Sequence, residues 1–387
     1  MKIGIDIRSL LENQSSGVPE YTKELLKEIF ALDRRNEYCL FYNAARDAAG
    51  RLPRYPYPNV SIRATRYPNK LFNNIMENFI GWPKLDRLLK ADLFFMPNIG
   101  FAALSKTGRS VLTVHDLSFL RYGGFFSWKR RLWHAALRLP RLVGQYGTVV
   151  AVSENTKRDL VELCGLKPER IRVVYSGISN RFRPEGKDGE RAALAAKYRL
   201  SAPYILYLGT LEPRKNISGL IRGYDECLGE HPGLKDHALV IAGGRGWKEG
   251  EIMAAWRSAK QRARIKFIGY VDDADRAALY RSAEMFVYPS FYEGFGFPPL
   301  EAMACGLPVV SSRAASLPEV AGGAALLVDP HNQNELAAAL YAVLTDGSLK
   351  EKMRQRSLRA AARFSWRQAA GRYLEIFEEA AADAKAG

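Results

Sequence analysis

The stretch MFVYPSFYEGFGFPPLEAMACGLP, residues 285–308, holds one complete strand–turn–helix unit. MFVY is short, apolar and rich in aromatics, the composition of a buried strand. Pro298 and Pro299 suit the first turn of a helix, where a missing N–H costs nothing. Gly306 stands where a helix C-terminal glycine belongs, and Pro308 follows it. Between strand and helix, EGFGF supplies two glycines that let backbone amides approach a ligand closely. Two acids lie eight positions apart, Glu293 expected at the strand end and Glu301 in the first helical turn. Two readings are open. One is a packed turn whose second glutamate complements the helix dipole; the other is a ligand site at a helix N-terminus.

The same unit repeats along the chain. Short apolar runs (KIGIDI, YCLFYN, VSIRAT, DLFFMP, SVLTVHD, TVVAVS and RIRVVY) alternate with helix-like segments such as PEYTKELLKEIFAL and SENTKRDLVELC, the latter capped by Ser153. Near-continuous apolar strands imply parallel sheets covered on both faces. A polar stretch, RFRPEGKDGER (181–191), interrupts the pattern and is the best linker candidate. The alternation then restarts with YILYLGT, ALVIAGG, IKFIGY, MFVYPS, PVVSS and ALLVDP. The expected fold is α/β, with two Rossmann-like domains facing each other across a cleft. Residues 1–183 form the first domain and 184–365 the second. Residues 366–387 close the chain as an amphipathic helix that crosses back to the first domain.

A chain of 387 residues suits two domains of similar size. No apolar run approaches the roughly 20 residues that span a bilayer, and Asp6 and Arg8 break the first run, which reads as a strand and not a signal peptide. Cys39, Cys164, Cys227 and Cys305 show no zinc spacing and read as reduced thiols of a cytoplasmic protein. The net charge of +16 is uneven, with 30 Lys and Arg against 17 Asp and Glu in residues 1–185, and 27 against 24 thereafter. From Leu117 to Ser153 there is no acid. Either this basic half meets an anionic partner or it is a solvated face.

In doubly wound sheets ligands bind at the carboxyl ends of strands, and the unusual motifs sit there. Arg214 and Lys215 follow YILYLGT and open a helix, where two cations neutralise a diphosphate or form a solvated pair. Gly17 lies between the first strand and the first helix. GGRG (243–246) lacks both GxGxxG spacing and a following GK[ST]. His115 and Asp116 end SVLTVHD, as sugar contacts or as structural groups. The remaining histidines are scattered, and no metal site is indicated.

Taken together, SGVPEYT, TVHDLSFL, VVAVSENTKRDL, YLGTLEPRKN, IKFIGYV, YPSFYEGFGFPPLEAMACGLPVV and ALLVDP resemble the retaining glycosyltransferases of family 4, of the GT-B fold. The resemblance implies transfer of a hexose from a nucleotide diphosphate sugar with retention of configuration and no metal cofactor. It implies that Arg214 and Lys215 bind the diphosphate, that Glu293 sits by the donor sugar, and that Glu301 accepts from the ribose hydroxyls. Gly294, Phe295, Gly296 and Phe297 would line the donor, Gly17 would approach the diphosphate, His115 and Asp116 the sugar, and Tyr270 and Val271 the base. Glu293 is either nucleophile or positioning group. The motif style is most similar to mannosyltransferases that act on GDP-mannose, with a saccharide or lipid-linked acceptor in cell-surface polysaccharide assembly. The segment FFSWKRRLWHAALRLPRL (125–142), with Trp128 and Trp133, would then meet anionic lipid or pack as an ordinary helix. A sugar-nucleotide epimerase of the same fold is the alternative enzyme. A polyanion-binding protein is the non-enzymatic one, but no nucleic-acid-binding pattern is present.

Overall fold

The computed structural model describes residues 1–11, 17–46, 48–68, 71–72, 76, 80–106, 109–125, 139–200 and 203–382. The chain forms two compact units, Met1–Leu117 with Leu132–Gly177 and Ser365–Gly387, and Ser118–Arg131 with Ile178–Phe364.

The first unit is built on strands β1 (Lys2–Asp6), β2 (Glu37–Asn43), β3 (Val60–Thr65), β4 (Leu93–Met96), β5 (Arg109–Val114), β6 (Thr148–Ala151) and β7 (Ile171–Val173). They pair in the order β3-β2-β1-β4-β5-β6-β7. The second unit has β8 (Tyr204–Leu208), β9 (Ala238–Ala242), β10 (Ile265–Gly269), β11 (Met285–Tyr288), β12 (Val309–Ser312) and β13 (Leu326–Val328). Their order is β10-β9-β8-β11-β12-β13. Every pairing is parallel. Each apolar run read from the sequence coincides with one of these strands. Every residue of β4, β8, β9 and β11 is buried, so these strands carry no polar alternation. Both sheets reverse their direction of winding once, between β1 and β4 and between β8 and β11. Those reversals are the topological switch points at which doubly wound sheets bind ligands.

The units divide between Gly177 and Ile178, six residues before the boundary expected from composition. The polar 181–191 stretch is no free linker, because Arg281 of the second unit holds both Glu190 and the Arg183 carbonyl. Arg281 donates from Nε to Glu190 Oε1 at 2.7 Å and from Nη1 to the Arg183 carbonyl at 3.1 Å. A second correction concerns Ser118–Phe125, expected in the first domain, which packs in the second unit. Phe125 stacks on Phe291 and Tyr122 meets Tyr292, each with ring centroids 5.7 Å apart, and Trp247 Nε1 donates to the Phe125 carbonyl at 2.7 Å. Aromatic contacts of this kind between distant segments carry no local sequence signal. Trp128, Trp133 and the rest of 126–138 lie outside the described residues.

The terminal helix, Trp366–Ala382, packs in the first unit against the Gly17–Leu32 helix and buries Trp366, Tyr373 and Phe377. Tyr373 Oη lies 2.6 Å from both Tyr21 Oη and Thr113 Oγ1, so its buried hydroxyl is satisfied. Gly177 crosses this helix so closely that a Cβ there would lie 2.0 Å from the Trp366 amide nitrogen. Ser153 caps the Glu154–Cys164 helix, its Oγ accepting from the Thr156 amide at 3.0 Å. No helix among the described residues is long and apolar enough to cross a membrane.

Candidate active site

At the switch point of the second sheet, the loops after β8 and β11 meet. The β8 loop leads into a single turn, Pro213–Lys215, and then through Asn216 into the Ile217–Glu230 helix. Asn216 is left-handed at φ 54° and donates from Nδ2 to the carbonyls of Pro289 and Pro330 at 3.2 and 2.7 Å. That ties the turn to the end of β11. Gly243 and Gly246 serve the same loop from the side. A Cβ on Gly243 would lie 2.0 Å from the Gly209 carbonyl oxygen, and one on Gly246 would lie 2.2 Å from that of Leu211. The GGRG stretch thus has a structural reason: close passage of two backbones.

The turn delivers two cations to one carboxylate. Lys215 Nζ lies 2.7 Å from Glu293 Oε1, and Arg214 Nη1 lies 3.1 Å from Glu293 Oε2. Lys215 also donates to Tyr288 Oη at 2.7 Å, and its ammonium sits 5.2 Å from that ring's centroid. Arg214 is oriented by Glu212 Oε1, 2.7 Å from Nη2, and by the Tyr292 carbonyl, 2.7 Å from Nη1. Ser290 Oγ donates to Glu293 Oε1 at 2.7 Å. Ser316 Oγ lies 2.9 Å from the carbonyls of both Glu293 and Phe295 and so pins the glycine-rich loop. Lys215 and Glu293 are both buried. Burial alone would raise the Glu293 pKa, but the charges of Arg214 and Lys215, with the Lys215 and Ser290 hydrogen bonds, outweigh it and hold the carboxyl at about 2. This is a fixed anion between two fixed cations.

The helix after this loop starts at Phe297 and ends at Ala304, with Gly296 left-handed before it at φ 105°. Glu301 is therefore in the second turn and not, as expected, in the first, because Phe297 and both prolines precede it inside the helix. Its carboxylate is buried, and Arg276 Nη2 donates to Oε1 and Oε2 at 2.5 and 2.6 Å. Tyr280 Oη donates to Oε2 at 2.9 Å. Burial raises the Glu301 pKa, and the Arg276 charge and the Tyr280 bond offset this only in part. The two glutamates thus lie in two separate ion clusters. A row of rings joins them: Tyr280 to Phe286 at 5.3 Å, then Phe286 to Tyr288 at 5.8 Å. Tyr270 and Val271 follow β10, the first exposed and the second buried.

Three of the expected site residues belong to the first unit. Gly17 opens the helix after β1, and His115 and Asp116 follow β5. His115 Nε2 lies 2.8 Å from the Pro97 carbonyl, and Tyr21 meets its ring edge-on with centroids 4.5 Å apart. A carbonyl only accepts, so Nε2 carries the proton and Nδ1 of the neutral ring is an acceptor. Burial lowers the His115 pKa, against the Pro97 bond and the Asp116 charge, which favours that neutral form.

Residues 193–360 match the model of the glycosyl transferases group 1, and residues 15–181 that of glycosyltransferase family 4. O-antigen chain mannosyltransferase B of Escherichia coli is 34% identical over 259 residues, 67% of each chain. The chain belongs to the family 4, group 1 glycosyltransferases. A second relative, the serotype-specific mannosyltransferase WbdA of E. coli, is 31% identical over 230 residues, which are 59% of this chain but 28% of WbdA. Among solved structures, HepE of Anabaena in complex with UDP and glucose superposes with a TM-score of 0.68 at 18% identity, covering 98% of this chain and 100% of that one. The GT-B fold and a glycosyltransferase activity are thus this chain's own.

Sequence reading missed Tyr288, Ser290 and Arg276, which complete the two clusters. Tyr288 and Ser290 lie inside residues 285–308, but nothing in MFVYPS separates a site tyrosine from a core one. Arg276 had a weak signal: it stands four residues before Tyr280, so both share one helix face.

Proposed function

We propose that the protein is a retaining, metal-independent hexosyltransferase that moves mannose from a nucleoside diphosphate sugar to a saccharide or lipid-linked oligosaccharide acceptor. The observation that carries this is the pair Arg214 and Lys215 meeting Glu293 at the switch point of the second sheet. Breaking the anomeric C–O bond puts positive charge on the sugar and negative charge on the leaving diphosphate. Of the three ammonium hydrogens of Lys215, Tyr288 and Glu293 take two, leaving one to aim at a phosphate oxygen. Preorganised donors of this kind are each worth about 3–4 kcal/mol of transition-state stabilisation. Cations held in place do the work that a divalent metal would otherwise do.

Glu293 acts as a positioning and stabilising anion. Its oxygens already accept from Lys215, Arg214 and Ser290, and a carboxyl with a pKa of about 2 is a poor nucleophile. The acceptor hydroxyl attacks the anomeric carbon on the face from which the diphosphate leaves, and its proton passes to a departing phosphate oxygen. Retention follows. Glu301 accepts from the ribose, Tyr270 and Val271 hold the base, and Gly294–Phe297 line the donor. In the first unit, His115 presents Nδ1 as an acceptor for a sugar hydroxyl, and Gly17 and Asp116 follow strands of the same sheet.

The acceptor lies at the inner face of the cell membrane, and the first unit meets anionic lipid there. Five of the ten large apolar side chains exposed among the described residues fall between Ile62 and Trp82, with Ile80 66% and Trp82 56% exposed. Cations stand among them in the chain. Arg63 reaches the Leu88 carbonyl, the Lys84 ammonium would lie 3.5 Å from a Cβ on Gly81, and Arg87 is exposed. Exposed tryptophan beside lysine and arginine is the composition of an interfacial surface. A thermal-shift panel of GDP-, UDP- and ADP-sugars, followed by incubation with a mannosylated acceptor, tests the reading. Stabilisation by GDP-mannose with release of GDP on transfer is expected; conversion of the donor to an epimer would refute it.

A further inference from the structure

Arg276 and Tyr280 stand one turn apart on the Asp273–Ser282 helix and converge on one carboxylate of the neighbouring Phe297–Ala304 helix. A carboxylate offers roughly four lone-pair sites. Arg276 Nη2 takes one on each oxygen of Glu301, and Tyr280 takes a second on Oε2. Among the described residues, the site left is on Oε1. The guanidinium is itself held in place. Its Nη1 lies 3.3 Å from Asp273 Oδ1, and its carbon sits 5.6 Å from the Phe182 ring centroid. Such a pair is over-built for a helix-packing contact, since an apolar pair of the same volume would serve there at no desolvation cost.

We propose that Arg276 is a positioning residue for Glu301, holding its carboxylate as a charged and oriented acceptor for one hydroxyl of the donor's ribose. The inference rests on the reading of Glu301 as the ribose acceptor. Its physical ground is the asymmetry of hydrogen bonds: a charged acceptor binds a hydroxyl about twice as strongly as a neutral one. Buried as it is, Glu301 would take up a proton without its cation, and the protonated oxygen would become a donor. The other groups that act on it are few. Tyr280, whose own burial keeps it protonated, faces it from the same helix as Arg276, and Arg181 adds positive charge from the segment before the Glu190–Tyr198 helix. Asp273 pairs with both Arg276 and Arg181. Cys305 caps the C-terminal end of the helix of Glu301, with its thiol pushed up to about 12 by burial. The Gly347–Ala361 helix puts Arg354 beside Gly306, past the end of that helix, and not beside Glu301.

The test uses the full chain and variants Arg276→Gln, Arg276→Lys and Glu301→Ala, with GDP binding by calorimetry and donor KM and kcat measured between pH 6 and 9. Gln keeps an N–H donor without the charge, and Lys keeps the charge. Arg276→Gln is expected to raise the GDP Kd and the donor KM about tenfold at pH 6–7 with kcat within about threefold. The deficit should shrink as the pH rises and Glu301 ionises, and Arg276→Lys should recover most of it. Glu301→Ala should be weak at every pH. If Glu301→Ala weakens binding while Arg276→Gln binds as tightly as the parent across the range, Arg276 has no positioning role. If Glu301→Ala binds GDP normally, the ribose reading itself fails, and the inference with it.

Discussion

Replacing Glu293 by glutamine keeps the shape of the cluster and removes the one anion that Arg214 and Lys215 share. In the folded chain the carboxyl is held at about 2, against an ordinary value of 4.5. That interval corresponds to roughly 3 kcal/mol of stability. A depressed carboxylate pKa contributes fully above about pH 4.5, and the contribution is lost as the pH falls toward 2. The same order of magnitude follows from deleting one partner of a buried ion pair, which costs about 3–5 kcal/mol. Glu293→Gln is therefore expected to be about 3 kcal/mol less stable than the parent near pH 7. More than half of that gap should close by pH 3. Urea unfolding of both proteins at half-unit steps from pH 7 to 3 measures it. The same variant should still bind GDP, because both cations remain, while transfer falls. A stability gap that is the same at pH 7 and pH 3 would refute the argument, and so would no gap at pH 7.

The other expectations are simpler. Lys215→Ala should lower kcat by about 10²–10³, the usual effect of removing one preorganised donor, with a native far-UV spectrum. Gly243→Ala places a Cβ 2.0 Å from the Gly209 carbonyl oxygen at φ 142° and should cost at least about 1–3 kcal/mol of stability, read by urea unfolding. Transfer in excess EDTA should match transfer in added magnesium if Arg214 and Lys215 carry the leaving-group charge as proposed.

The architecture was legible because nearly every strand of both sheets is a short, apolar, bounded run, and the Glu154–Cys164 helix keeps its Ser153 cap. The meeting of Arg214 and Lys215 with Glu293 was legible for a related reason. Both motifs follow strands, and strands β8 and β11 are neighbours at the switch point. What stayed hidden depends on long-range contact. The polar 181–191 stretch looks like a linker until Arg281 is seen to pair with Glu190. Tyr122 and Phe125 carry Ser118–Phe125 into the second unit, the first meeting Tyr292 edge-on and the second stacking on Phe291. The position of Glu301 was off by a turn because the helix starts before its prolines, a boundary that composition does not fix. Arg276 follows three aspartates at a helix start and belongs to none of the motifs that carry the resemblance.

The proposed reaction is hexosyl transfer with retention at the Arg214–Lys215–Glu293 cluster. Its most direct test is the anomeric configuration of the product formed from GDP-α-mannose and a mannosylated acceptor, read by NMR of the new linkage. Retention gives an α-linkage, made at the same rate with and without chelator. A β-linkage would contradict it.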